Sequence, residues 1–215
     1  MFIYIQMKLC LFLRGKHYEH ANVDYRKSVD NYREFIIQPL LNAGYTVDIF
    51  IATYDSDILD LLIGDYFPRE YRILDKREQD RGNLNTFSRQ CDFHYMLDEM
   101  IKRSGKTYDI IVDTRFDLFF KVKITDMNIR NDQVNIMFRH SSGNCDDNFF
   151  IIPGYYSEIF GKAWMRLKSE GSITHEINHY IDESIVNYMI DLSTGNPSTK
   201  QWSYWNIMRP YGIQV

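Results

Sequence analysis

The sequence predicts an α/β fold in which helices flank a central, mostly parallel β-sheet. Strand-type apolar runs alternate with helical patterns through the first half of the chain. The runs at residues 7–13, 46–53 and 108–112 contain few polar residues, as is typical of strands buried on both faces. The 215 residues suffice for one large domain with a substantial core, and no linker or repeat divides them. We therefore expect a single domain over residues 1–215.

The individual elements are predicted from hydrophobic spacing and from turn residues. A helix is expected from residue 25 to residue 40, where apolar residues recur at helical spacing, and Gly44 is expected to end it. The other expected helices are 57–62, 83–104, 155–168 and 174–192. The other expected strands are 71–74, 134–138 and 149–152. The tail after Gly195 has no assigned element, which is compatible with a piece of a longer protein.

The composition excludes several classes of protein. A net charge of −4 gives no basic field, so we expect no nucleic-acid partner. No apolar run is long enough to span a bilayer, and the N-terminus lacks the features of a signal peptide. The cysteines Cys10, Cys91 and Cys145 are odd in number and scattered, which favours a reducing compartment. A cytoplasmic location is therefore expected.

The strand at residues 108–112 ends in a cluster of charged side chains. Asp113, Arg115 and Asp117 occupy alternate positions, so they share one side if the chain stays extended. Carboxylates just past the carboxyl end of a buried strand lie where open α/β sheets bind ligands, and they can hold a divalent metal ion against a phosphate. An Arg beside them can fork onto a phosphate. A surface ion network would explain the same residues equally well.

Two further strands end in polar residues at the same predicted edge. Arg14, Gly15 and Lys16 close the first strand and combine two cations with a flexible backbone, which suits a diphosphate. An ordinary charged turn is the alternative. The second strand leads into Tyr54, whose ring can stack on a base. Asp57, slightly downstream, is better explained as a helix cap.

Two polar loops supply weaker candidates. The charged loop at 75–83 follows another expected strand, which makes Asp80 and Asn83 candidate ligands, although most charge runs are solvated surface. Asp146 and Asp147 precede an apolar strand, where paired carboxylates can orient an acceptor hydroxyl or act as a base. Turn chemistry is the alternative there, because Asn, Asp and Gly favour turns regardless of function.

A competing motif lies nearer the C-terminus. His175, Glu176 and His179 match H-E-x-x-H, in which two His on one helix face bind zinc and the Glu activates water. The usual distal third ligand is missing, since no later His exists and Asp191 is the only distal carboxylate. A zinc metallopeptidase is therefore the alternative function, and it leaves the polar strand ends unexplained.

Segments 11–15, 47–54 and 108–117 together resemble small viral and microbial glycosyltransferases of the GT-A type, including those that glycosylate the major capsid protein of chlorella viruses. The resemblance implies a GT-A-like (Rossmann-like) domain and a nucleotide-sugar donor, with UDP-hexose expected. It also implies a glycan or glycoprotein acceptor, such as a viral capsid glycan, a Mn²⁺ or Mg²⁺ cofactor and, for a viral enzyme, the host cytoplasm. The family's D-x-D motif is altered here, because Arg115 interrupts the carboxylate pair.

The same resemblance implies roles for individual residues. Asp117 and Asp113 are expected to bind the metal, which with nearby cations would neutralise charge on the departing diphosphate. The expected catalytic residues are Arg115, Asp146 and Asp147. The expected nucleotide-sugar contacts are Arg14, Gly15, Lys16, Thr53, Tyr54, Asp55, Asp80, Asn83 and Asp113.

Overall fold

The computed structural model describes residues 6–17, 24–74, 86–139, 143, 145–170, 177–191 and 208–210. Its strands form one seven-stranded sheet, in the order β3-β2-β1-β4-β7-β6-β8, and one two-stranded sheet of β5 and β9. The strands are β1 Lys8–Arg14, β2 Thr46–Tyr54, β3 Glu70–Leu74, β4 Ile110–Arg115, β5 Leu118–Phe120, β6 Val134–Arg139, β7 Phe149–Pro153, β8 Val186–Asp191 and β9 Met208–Pro210.

Helices connect and cover these strands. The α-helices are α1 Tyr25–Tyr32, α2 Gln38–Asn42, α3 Leu59–Tyr66, α4 Thr86–Ser104 and α5 Ser157–Ser169. A π-helical turn, Arg33–Ile37, joins α1 to α2, and Gly44 follows with a φ of +89°. Within the described ranges, none of the helices combines the length and the apolar character that a bilayer crossing requires.

The pairing pattern confirms the mostly parallel sheet flanked by helices. β1 lies between β2 and β4 and is parallel to both, β3 is parallel to β2, and β8 is parallel to β6. β7 is antiparallel to its neighbours β4 and β6. The carboxyl ends of β1, β2, β3 and β4 therefore meet the start of β7 at one edge of the sheet, which we call the carboxyl edge.

The two faces of the sheet belong to two apolar cores. Along β1, Leu9, Leu11 and Leu13 pack with residues of α1 and α2, whereas Cys10 and Phe12 pack with residues of α4 and α5. This division follows from the alternation of side chains along a strand. Since both faces are covered, β1 is apolar at every position between its two ends, as predicted.

The helix predicted at 174–192 is wrong for the described part of that range. Residues 177–191 instead form two short 3-10 helices, Ile177–Tyr180 and Glu183–Ile185, followed by β8. The isoleucines at 177, 181 and 185 have helical spacing, but Val186, Tyr188 and Ile190 alternate as in a strand. Pairing with β6 favours the strand pattern, because it provides hydrogen-bond partners for backbone N–H and C=O groups of β6 that would otherwise lie unpaired at the edge of the sheet.

Candidate active site at the carboxyl edge

The carboxyl edge brings together residues that are far apart in the sequence. Thr114 near the end of β4 is in register with Phe149 at the start of β7, so the loop at 145–148 lies beside the end of β4. Arg14 at the end of β1 donates from Nη2 to the backbone oxygen of Asp147 at 2.5 Å. The ends of β1 and β4 and the loop that carries Asp146 and Asp147 therefore lie together at the carboxyl edge.

Helix α1 holds the corner that follows β4. Asn31 donates from Nδ2 to the backbone oxygen of Phe120 at 2.8 Å and accepts from the backbone nitrogen of Phe120 at 2.7 Å. The hydroxyl of Tyr32 donates to the backbone oxygen of Arg115. These bonds to two buried side chains of α1 fix the direction in which the chain leaves β4, and with it the position of the charged side chains there.

Asp113 is the centre of a buried ion cluster. Its Oδ1 lies 2.6 Å from Nε of Arg14, and its Oδ2 lies 2.6 Å from Nδ1 of His94. The Asp113 side chain is 0% exposed and the other two are 2% exposed. The ring of His94 stacks on Trp164, with centroids 4.0 Å apart. Both carboxylate oxygens of Asp113 therefore face buried nitrogen atoms and not solvent.

The electrostatics of the cluster keep Asp113 charged. Burial alone would raise the pKa of Asp113, but His94 and Arg14 outweigh it and hold that pKa below its usual value. Burial lowers the pKa of His94, and Asp113 opposes this without reversing it. The cluster is thus a carboxylate held between a guanidinium and an imidazole, in surroundings that make each partner costly to remove.

A second, more exposed chain of polar contacts crosses the carboxyl edge. Arg115 donates from Nε to Oδ1 of Asp117 at 2.7 Å and from Nη2 to Oδ2, which forms a two-pronged ion pair. Its Nη1 donates to Oδ1 of Asn148 at 2.9 Å, and Nδ2 of Asn148 donates to Oδ1 of Asp146 at 2.5 Å. The Arg115 side chain is 34% exposed and that of Asp117 is 16% exposed.

Asp146 at the end of this chain is 3% exposed, and its Oδ2 has no hydrogen-bond partner among the residues that the structure describes. Burial, followed by the charge of Asp147, raises the pKa of Asp146 to about 7. A carboxyl group with this pKa exists in both protonation states near neutral pH, but at this burial Asp146 is not open to an acceptor hydroxyl. Asp147 is more exposed than Asp146 and lies on the same loop.

The end of β2 is held by a neutral histidine. The Thr53 hydroxyl donates to the backbone oxygen of Gly15 at 2.8 Å and lies 2.6 Å from Nδ1 of His17. Nε2 of His17 lies 2.6 Å from the hydroxyl oxygen of Ser56. The single hydroxyl proton of Thr53 is used in the bond to Gly15. Nδ1 of His17 therefore carries a proton and donates it to the Thr53 hydroxyl oxygen. Burial lowers the pKa of His17 to about 4, so the ring stays neutral at physiological pH.

The remaining predicted residues fall into three groups. Lys16 and Asp55 are exposed at the carboxyl edge, and Tyr54 is half-buried with its ring edge against Phe93 at a centroid distance of 5.7 Å. Thr53, which was predicted to contact the nucleoside, is buried behind this surface and bonded within the protein. The predicted ligands Asp80 and Asn83 lie outside the described residues.

The predicted metal ligands do not fit a divalent cation as they are placed. Both oxygens of Asp113 lie against Arg14 and His94 in the interior, and both oxygens of Asp117 accept from Arg115. In the described part of the chain, no group of three or more His, Cys, Asp or Glu side chains is placed to hold a metal ion. The Mn²⁺ or Mg²⁺ cofactor therefore stays a prediction from the resemblance alone.

The H-E-x-x-H motif is only partly described. His175 and Glu176 lie outside the described residues, and His179 is exposed in the 3-10 helix Ile177–Tyr180. The zinc motif requires an α-helix that places its two His on one face. No contact among the described residues favours a zinc peptidase.

Three residues of the site were not predicted from the sequence: His17, His94 and Asn148. Each had a weak signal. His17 directly follows the predicted Arg-Gly-Lys turn, and Asn148 directly follows the predicted pair of carboxylates. His94 lies on the buried face of α4, where the common role of a histidine is packing. Its contact with Asp113 could be seen only once the helix was placed on the sheet.

No protein-family model and no curated protein matches this chain. A solved structure does: the crystal structure of a glycosyltransferase involved in the glycosylation of the major capsid of PBCV-1. The match covers 95% of this chain and 94% of that chain, with a TM-score of 0.50 and 11% sequence identity. The fold is GT-A-like. At this identity the likeness concerns the fold alone, and the expected resemblance is confirmed at that level.

Proposed function

We propose that this chain is a glycosyltransferase that takes a sugar from a nucleotide-sugar donor. The observation that carries the proposal is the cluster at the carboxyl edge, where Arg115, paired with Asp117, contacts the loop at 145–148 and that loop contacts Arg14 at the end of β1. Open α/β sheets bind ligands at this edge. The mixture of cations and carboxylates there suits a donor with a charged diphosphate and a hydroxylated sugar. The GT-A-like fold supports the same conclusion.

In the proposed reaction, an acceptor hydroxyl oxygen forms a bond to the anomeric carbon of the donor sugar. The bond between that carbon and the phosphate oxygen breaks, and its electron pair leaves with the nucleoside diphosphate. The hydroxyl proton passes to Asp147, which is the more exposed carboxylate of the loop, while Asp146 and Asn148 hold that loop against Arg115. The positive charge of Arg115 stabilises the negative charge that develops on the leaving diphosphate.

We propose the identity of the donor and the acceptor from the solved structure that has a similar fold. That protein is a glycosyltransferase involved in the glycosylation of a viral major capsid. We propose by analogy a UDP-hexose as donor and a glycan or glycoprotein, such as a viral capsid glycan, as acceptor. Tyr54, the last residue of β2, and Asp55, the residue after it, are the nucleoside contacts that we propose in this arrangement.

The experiment that tests the proposal measures release of nucleoside diphosphate from a panel of UDP- and GDP-sugars by the full chain, with water or an added glycan as the acceptor. The panel is run in EDTA and in buffer with Mn²⁺ and Mg²⁺. We expect at least one donor to turn over, and Asp147→Asn to lose roughly 100-fold in rate, as the removal of a general base does. The control Asp132→Asn changes an exposed residue outside the carboxyl edge and should keep the wild-type rate.

A panel in which no donor releases diphosphate, together with no binding of UDP or GDP under any of these conditions, would overturn the proposal. Full activity in Asp147→Asn would instead keep the transferase and remove Asp147 from its role as the base.

A further inference from the structure

We propose that Arg115, and not a divalent cation bound by Asp113 and Asp117, offsets the negative charge of the donor's diphosphate. This inference rests on the proposed function, because it concerns how the same site handles the leaving group. It predicts that the carboxylates of Asp113 and Asp117 pair with nitrogen atoms of protein side chains, and that the enzyme binds its donor without a metal.

Both oxygens of Asp113 are already paired with buried side chains of the protein. Its Oδ1 and Oδ2 each lie 2.6 Å from a buried nitrogen atom, of Arg14 and of His94 respectively. A hard cation such as Mg²⁺ binds carboxylate oxygens that it can reach together with water and phosphate oxygens. The side chain of Asp113 is 0% exposed, so a metal at this position would have to displace a buried guanidinium or imidazole. Such a displacement leaves a buried charge without its partner, which is costly.

Asp117 is committed to Arg115. Both of its oxygens accept from the same guanidinium, in the two-pronged geometry that is the strongest form of the Arg–carboxylate pair. In the altered D-x-D motif, the residue between the expected ligands therefore occupies both oxygens of the carboxylate that the sequence predicted as the main metal ligand, while its Nη1 is directed to Asn148. Asp117 acts in this proposal as a positioning residue, which fixes the plane and direction of the Arg115 guanidinium.

Arg115 has the geometry that a diphosphate requires. It is held from two sides, by Asp117 after β4 and by Asn148 before β7, so little side-chain freedom remains to be lost on binding. A guanidinium carries five N–H donors in one plane, and pairs of these donors match the spacing of phosphate oxygens. At 34% exposure, the Arg115 side chain is partly open to solvent, unlike that of Arg14 at 2%.

The neighbouring strand leaves room for the ligand beside Arg115. Arg14 in β1 is in register with Arg115 in β4, so Gly15 is the next residue past the edge. Gly15 has a φ of +88°, and a Cβ added to it would meet no atom within 4 Å. Lys16 follows as an exposed cation. A diphosphate placed over Gly15 would therefore have Arg115 on one side, with Lys16 as the next residue along the chain. Because Gly15 has no side chain, the diphosphate could approach its backbone closely.

The test measures binding of UDP to the full chain by isothermal titration calorimetry, once in EDTA and once with saturating Mn²⁺. We expect dissociation constants that agree within about 3-fold, since charged contacts to protein and not a metal bridge supply the affinity. Arg115→Met should weaken UDP binding by roughly 10-fold to 100-fold, the usual effect of losing a hydrogen bond to a charged group. Arg115→Lys should recover part of this loss, because it restores the charge without the fork.

The chain offers a matched control. Arg130 and Asp132 form a second Arg-x-Asp pair, with Nη2 to Oδ2 at 3.3 Å, just before the amino end of β6 and so at the opposite edge of the sheet. Arg130→Met removes the same charge from the same sequence pattern and should leave UDP binding unchanged. Far-UV circular dichroism of each variant reports whether it is folded, and the comparison of wild-type protein with and without metal needs no variant.

The outcomes separate this inference from the proposed function. UDP binding that occurs only with Mn²⁺ and is lost in Asp117→Asn would overturn the inference and keep the glycosyltransferase. Metal-independent binding with an unchanged constant in Arg115→Met would overturn the role of Arg115. Absence of binding of UDP, GDP and their sugars under both conditions would overturn the proposed function, and this inference would fall with it.

Discussion

Asp113→Asn is the substitution that tests whether the buried ion cluster holds the candidate site together. The amide has nearly the shape of the carboxylate, so packing around residue 113 changes little. The charge is lost, however, and Arg14 then lies buried at 2% exposure without a counter-charge on its Nε. The amide can also turn its NH₂ group towards Arg14, which places two donors against each other. The substitution therefore isolates the electrostatic role of Asp113.

The expected cost follows from the burial of all three partners. Removing one member of a buried ion pair typically destabilises a protein by about 3–5 kcal/mol, because the other charge is left uncompensated. Whole domains are stable by only about 5–15 kcal/mol. Asp113→Asn should thus remove a large fraction of the free energy of unfolding of the protein. Since the folded pKa of Asp113 is depressed, its contribution is present above the unfolded pKa and is lost as acid titrates the folded carboxylate.

Urea denaturation followed by tryptophan fluorescence is the appropriate assay, because Trp164 stacks on His94 inside the cluster. The control Asp132→Asn removes an exposed carboxylate that pairs with Arg130, and it should leave the midpoint where it is. An Asp113→Asn protein that loses less than about 1 kcal/mol would refute the reasoning, since a surface pair loses that little.

Two further predictions concern backbone approach and pH. Gly154→Ala should cost roughly 1–3 kcal/mol in urea denaturation, because the added Cβ would lie 1.9 Å from the backbone oxygen of Tyr108. Gly64→Ala in α3, where the Cβ meets nothing within 4 Å, should instead gain about 0.5–1 kcal/mol, and equal effects of the two would contradict this. The pKa of His17 is lowered to about 4, so its contribution to stability is present above the unfolded pKa and is lost as the pH falls. Relative to His17→Gln, wild-type protein should lose roughly 1 kcal/mol between about pH 7 and about pH 5, because the raised pKa of Asp146 acts equally in both proteins, and the exposed control His179→Gln should follow the wild-type pH dependence.

Much of the fold could be predicted because local patterns and tertiary structure agree. Apolar runs predicted β1, β2 and β4, and helical spacing predicted α4 and α5, since each of these elements buries the face that its sequence marks. The segment that became β8 carried both a helical and a strand pattern. Its pairing with β6, about 50 residues away in the sequence, decided between them, and no local pattern reports such a pairing.

The site shows the same limit. Strand alternation and strand ends predicted where Asp113, Arg115 and Asp117 would lie, and they lie at the carboxyl edge. The sequence could not predict what each would contact. Arg14 reaches Asp113 across 99 positions of sequence, and His94 comes from a helix whose placement sets the contact. A carboxylate at a strand end is a ligand or an interior ion partner depending on such distant residues.

Hydrogen exchange with and without UDP tests whether the carboxyl edge is the nucleotide site, because it locates the ligand on the folded chain. We expect slower exchange of backbone amides at the carboxyl edge, within residues 14–17, 115–117 and 145–148. Protection confined to the opposite edge, around residues 8–9 and 130–134, would contradict the assignment of the site. A complete absence of protection at a UDP concentration that saturates binding by calorimetry would contradict it as well.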